Sequence, residues 1–146
     1  RIQVNALGNR KDEIFDTENN LVKITQKDKN NQILAETEYV YDANGNMILE
    51  QSAVLSNGQH LRNYSTTWAY SWGDRLTSIC RGSSSRDQRT ITFSYNSWGD
   101  IITKTPPEGK EPITYDYDVE GQLVAISYKN PGSTKATTYQ ICYDMI

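Results

Sequence analysis

Residues Tyr115-Asp116-Tyr117-Asp118-Val119-Glu120-Gly121-Gln122-Leu123 decide the fold. Two bulky rings two positions apart share one face of a strand, because successive side chains alternate. The Asp after the second ring can bond the backbone of a turn, and Gly121, four positions past that ring, reaches positive φ without strain. Leu123 then opens a returning strand. The stretch reads as a β-hairpin.

Outward from it, the pattern recurs at Tyr39-Val40-Tyr41-Asp42-Ala43-Asn44-Gly45, and more loosely at Phe15-Asp16 leading to Asn19, Trp68-Ala69-Tyr70 leading to Asp74, and Phe93-Ser94-Tyr95 leading to Gly99. A last copy, Ile141-Cys142-Tyr143-Asp144, stops with the chain. The anchors Phe15, Tyr41, Tyr70, Tyr95, Tyr117 and Tyr143 are separated by 26, 29, 25, 22 and 26 residues, a spacing that signals a repeat architecture. Four positions past each complete anchor stands Asn19, Gly45, Asp74, Gly99 or Gly121, types prone to left-handed backbone angles. Six positions past it stands Leu21, Met47, Leu76, Ile101 or Leu123. The residues between the paired bulky positions, Val40, Ala69, Ser94, Asp116 and Cys142, fall on the other face and are mostly small or polar, so the sheet is two-sided.

A more variable set of breakers alternates with these turns: Asp28-Lys29-Asn30-Asn31, Ser56-Asn57-Gly58, Gly82 through Asp87, Pro106-Pro107-Glu108-Gly109 and Asn130-Pro131-Gly132-Ser133. The whole reads as an all-β antiparallel meander of about ten strands, a curled or open sheet with little or no helix. Leu21-Val22-Lys23-Ile24 and Leu76-Thr77-Ser78-Ile79 meet turns too soon for a stable helix. Asn5 to Asp12 stay undecided between one helical turn and a loop.

At 146 residues the chain is expected to form one domain, 1–146. Only 36% is hydrophobic, and ten Tyr and three Trp supply much of the bulk, so aromatics are expected to fill the core. The stripe Tyr39, Tyr41, Trp68, Tyr70, Phe93, Tyr95, Tyr115 and Tyr117 reads as core rather than a cofactor box. With no helix to shield it, the sheet must curl on itself, form a homodimer through this aromatic face, or meet a partner. The net charge of −3 without a basic run argues against nucleic acid. No stretch approaches the roughly eighteen apolar residues of a membrane span. A start at Arg1, without Met or a signal-like segment, reads as a processed form or a fragment. Cys80 and Cys142 are too few for a disulfide framework and lack metal spacing; they are expected not to pair.

Tyr41-Asp42-Ala43-Asn44-Gly45-Asn46-Met47, Tyr117-Asp118-Val119-Glu120-Gly121-Gln122-Leu123 and Gly73-Asp74-Arg75-Leu76-Thr77 resemble the YD, or RHS-type, repeat, whose usual form is Tyr-Asp-x-x-Gly-Arg-Leu. The likeness runs over nearly the whole chain from Phe15. Asn19 and Asp74 replace Gly, Trp72 and Trp98 enter the turns, and Arg75 alone stands as the usual basic residue. Similar units occur in short secreted or lipid-anchored proteins of Bacteroides-like bacteria. The resemblance implies a non-enzymatic structural or interaction module, secreted or at the bacterial envelope (outer surface or periplasm), with a macromolecule or glycan as partner. Long RHS proteins coil their repeats into a hollow shell around a toxin, so a fragment of such a shell is a further alternative.

No residue pattern points to catalysis. His60 stands beside the Asn57-Gly58 turn without a motif that would make it a base, and Ser83-Ser84-Ser85 lacks a nucleophile elbow. Asp42-Ala43-Asn44-Gly45-Asn46 with Glu50 has the wrong Gly and Glu spacing for a calcium loop, and no metal or cofactor is expected. The binding candidates are Trp72 and Trp98, each in a Trp-Gly-Asp tripeptide at a hairpin tip and expected on one edge of the sheet; the preferred reading is that each ring folds back over the neighbouring turn and caps the sheet edge, and the alternative is a stacking platform for a sugar or apolar peptide. Trp72 lies two residues past its Tyr and Trp98 three, so one loop is expected to be shorter.

Overall fold

The computed structural model describes residues 1–84, 86–107, 110–130 and 132–143. Readings that fall on Ser85, Glu108, Gly109, Pro131 and Asp144–Ile146 lie outside the described residues. Twelve strands follow one another in one antiparallel sheet, ordered as in the sequence, and no helix occurs among the described residues. They are β1 (Ile2–Val4), β2 (Arg10–Phe15), β3 (Leu21–Lys27), β4 (Ile33–Tyr41), β5 (Met47–Ser56), β6 (Gln59–Ser71), β7 (Arg75–Gly82), β8 (Arg89–Tyr95), β9 (Ile101–Thr105), β10 (Ile113–Tyr117), β11 (Leu123–Lys129) and β12 (Ala136–Gln140). The all-β meander is as the periodicity requires. The undecided stretch at Asn5–Asp12 becomes a loop running into β2, which raises the strand count above ten.

The chain packs as two compact units: Arg1–Ala69 with Cys80–Gln88 (unit 1), and Tyr70–Ile79 with Arg89–Ile146 (unit 2). In both, one loop type recurs. Asn5, Asp16, Asp28, Asp42, Asn96 and Asp118 each accept, through Oδ1, the backbone N–H groups two and four residues on, at 2.8–3.1 Å. The residue three positions on, Gly8, Asn19, Asn31, Gly45, Gly99 or Gly121, has φ between 67° and 102°. Sequence reading placed Asp28 among the variable turns and left Asn5 unassigned; both build the same loop, because an Asx side chain and a left-handed residue suffice for it. Ahead of the loop the ladder slips by one residue in all four of these anchor hairpins, and again between Gln26 and Lys27 ahead of the Asp28 loop, so each anchor faces the apolar residue six positions later: Phe15 opposite Leu21, Tyr41 opposite Met47, Tyr95 opposite Ile101, Tyr117 opposite Leu123. Such a bulge lets the five-residue loop close without turning the ring to the other face.

The expected aromatic core needs correction. Among the described residues no hydrophobic side chain is buried; Thr25, at 7% exposure, is the buried residue. Within each unit the stripe members are half-buried against strand neighbours, since side chains of a single pleated layer shield one another sideways and meet nothing overhead. Beside the backbone ladders, a hydrogen bond from ring to backbone recurs between strands. The phenol of Tyr41 donates to the Leu21 carbonyl at 3.0 Å, Tyr95 to Leu76 at 2.6 Å, Tyr117 to Ile101 at 3.0 Å and Tyr143 to Leu123 at 3.0 Å. Each acceptor is the apolar residue six past the preceding anchor, so every such bond ties one repeat to the one before. A bond of this kind is worth about 1 kcal/mol.

Candidate functional site

Trp72 and Trp98 both belong to unit 2, at the tips of the β6–β7 and β8–β9 hairpins, and are 92% and 76% exposed. The shorter loop is the first one. Gly73 and Asp74 both carry positive φ, 75° and 57°, the signature of a tight two-residue turn, whereas β8 and β9 are joined through the five-residue loop headed by Asn96. The two tips are neighbours. Arg75 runs from the first to the second, its guanidinium 6.0 Å from the centre of the Tyr95 ring. A Cβ added at Gly99 would stand 3.1 Å from the Arg75 guanidinium. Gly99 therefore serves both the left-handed turn, at φ 102°, and the passage of the arginine. The tip of the next Asx loop in unit 2 adds Val119, 91% exposed. In unit 1 the position two past the Asx carries Leu7, also exposed, and the polar Glu18, Asn30 and Asn44.

The face opposite the aromatic stripe differs between units. In unit 1 it is charged: Lys27 Nζ lies 3.1 Å from Asp12, Arg10 also pairs with Asp12, and Lys23 Nζ reaches Glu36 at 3.2 Å and Glu38 at 2.9 Å. The bond with Arg10 holds the Asp12 carboxyl below its ordinary value, and the Glu38 bond raises the Lys23 ammonium. Beside these pairs runs a groove of about 410 Å³ lined by Glu36, Glu38, Gln51, His60, Asn63 and Ser65 among others. In unit 2 the same face carries a row of hydroxyls across five strands, Ser94, Thr103, Thr114, Ser127 and Thr138, neighbours in register.

The remaining chemical candidates are engaged structurally. His60 Nδ1 lies 3.2 Å from Asn63 Oδ1. Ser83 and Ser84 hold Asp87 through hydroxyl and backbone bonds, which keep that carboxyl far below its ordinary range and make it a weak base. Asp42 is occupied by Asn44 and Asn46, whose backbone bonds lower its pKa. Among the described residues no three His, Cys, Asp or Glu side chains gather around a common point, and Cys80 and Cys142 are free thiols.

A sheet of tandem hairpins in which an Asx loop and a phenol-to-carbonyl bond recur defines a repeat-built β protein. Residues 95–135 match the RHS Repeat family model, so this part of the chain is similar to RHS repeats. Solved structures share its fold. A TcdB2-TccC3-Cdc42 complex matches 95% of this chain at 17% identity and a TM-score of 0.58. The Tc holotoxin pore of Photorhabdus luminescens matches 95% at 17% identity and 0.56. A porin-like protein from Bacteroides uniformis matches 94% at 12% identity and 0.55. The chain spans 9% of the length of each of the first two and 69% of the third. No curated protein matches it in sequence. It is a structural repeat module.

Proposed function

We infer that this module is a non-enzymatic building and interaction element of the bacterial cell envelope, presenting its two wet sheet faces and its hairpin tips to other macromolecules. One observation carries the reading: among the described residues no hydrophobic side chain is buried, while joint after joint is closed by phenol and Asx bonds. Surface held this way suits presentation better than enclosure of a reaction. Protease shaving of intact source cells tests it. Peptides of this chain released before lysis are expected; their recovery only with the cytosolic fraction overturns the reading.

A second reading, glycan stacking, is favoured by the bare indoles of Trp72 and Trp98 on neighbouring tips. Oligosaccharide titration of the chain and of its Trp72→Ala/Trp98→Ala variant decides it: binding lost in the variant supports it, and unchanged binding rejects it. A third use, as a stretch of wall in a toxin-enclosing shell of the sort long RHS proteins build, draws on the fold likeness to small parts of the much larger TccC3-containing assemblies. Electron microscopy of the protein as isolated from its source is expected to show a hollow shell under that reading, and an open sheet rejects it.

A further inference from the structure

Tyr128 and Tyr139 sit on the aromatic face of unit 2, on β11 and β12. Ile126 pairs with Tyr139 and Tyr128 with Thr137, so the two tyrosines are diagonal neighbours on one face, a relation that long aromatic side chains can span. Their rings stack, with centroids 5.9 Å apart and planes 17° from parallel, and the two phenol oxygens are 3.3 Å apart. Tyr139 is 56% exposed, so a small oxidant reaches it. The other phenols described above, Tyr41, Tyr95, Tyr117 and Tyr143, spend their hydroxyls on backbone carbonyls; this pair spends them on each other.

We propose that Tyr128 and Tyr139 form an oxidative cross-linking site, at which a one-electron oxidant of the peroxidase–peroxide class joins β11 to β12 as a dityrosine. Each phenol loses one electron and its O–H proton to give a phenoxyl. The two radicals couple through one Cε carbon of each ring, forming a C–C bond, and each ring regains aromaticity by moving the proton from that carbon to its own oxygen. Two electrons and two protons leave the pair and reduce one hydrogen peroxide to two waters. The hydrogen bond with Tyr139 raises the Tyr128 phenol, which keeps it protonated before oxidation, and it gives the donated proton a neighbouring oxygen; the other proton leaves to solvent. The bond would fasten β12, whose recorded strand partner is β11, through a covalent link across the ladder.

The test treats the dilute full chain with a peroxidase and hydrogen peroxide, in its natural form and with Cys142→Ser, because the exposed Cys142 thiol would repair phenoxyl radicals. Dityrosine fluorescence and peptide mapping are read on the monomer fraction. The expected result is a link between the peptides carrying Tyr128 and Tyr139, two hydrogens lighter than their sum, at least in the Cys142→Ser form. Fluorescence should be lost in Tyr128→Phe and in Tyr139→Phe but kept in Tyr115→Phe; Phe retains the ring, so the fold survives. Monomer fluorescence unchanged in Tyr139→Phe, equal yields of links between other tyrosines, or no dityrosine in the Cys142→Ser form overturns the proposal.

Discussion

Unit 1 and unit 2 use the same hairpin and dress it differently. In both, an Asx loop reverses the chain, a bulge returns an apolar residue beneath the anchor, and a phenol reaches back to the preceding repeat. The opposite face then diverges: unit 1 fills it with Asp12, Lys23, Lys27, Glu36 and Glu38, while unit 2 carries the hydroxyl row there; two of unit 2's hairpin tips add bare tryptophans. The comparison separates what the repeat needs from what it leaves free. Loop and anchor are fixed by backbone geometry, so they recur; the second face and the tips carry no such duty, and there the repeats become individual.

The largest test of that division is a glycine. Gly99→Ala puts a Cβ on a left-handed residue and against Arg75, and should cost about 1–2 kcal/mol, read as a lowered denaturant midpoint. Gly82→Ala in unit 1 meets the Gln88 backbone at 2.8 Å and should also destabilise, although its φ is ordinary for any residue. If either variant matches the parent midpoint, the geometric account of that turn is wrong. Next come the joints: Tyr41→Phe and Tyr117→Phe remove the same bond from different units, and each should lose about 1 kcal/mol in chemical unfolding. A large gap between them would break the equivalence of the two units.

Smaller effects separate the loops by charge. The backbone N–H groups of Asn20 and Asn46 hold the Asp16 and Asp42 carboxyls low, so the stability these loops contribute is complete above the ordinary carboxylate pKa, near 4, and fades as pH falls through their depressed folded values. Asn96 heads the same loop without a proton to gain. Acid titration followed by NMR should therefore loosen the Asp42 loop while the Asn96 loop stays formed; simultaneous loss of both contradicts the assignment. Least of all, Lys23→Met should shift stability by under about 1 kcal/mol, because its partners are partly solvated, and the shift should shrink in high salt.

Much of this was legible in the sequence because the repeat writes its requirements into residue types. Tyr, Asx, left-handed residue and apolar return at fixed offsets gave the hairpins, and the different offsets of Trp72 and Trp98 foretold loops of unequal length. The phenol bonds were not legible, since a Tyr read as bulk hides what its hydroxyl reaches; the one hint was that the anchor at position 15, alone in the series, is Phe. Nor did aromatic content reveal that no hydrophobic side chain is buried among the described residues, because composition counts rings and not the layers around them. The charged face of unit 1 escaped for a related reason: Asp12, Lys23 and Glu36 lie far apart in sequence and meet only once register is set.

The claim beneath all of this is that the sheet is held joint by joint rather than by a common core. Residue-level hydrogen exchange on Tyr117→Phe measures it most directly. Faster exchange in β9 and β10, with the amides of β2 to β5 unchanged, is the predicted result. Uniform acceleration along the chain, or none anywhere, would contradict it.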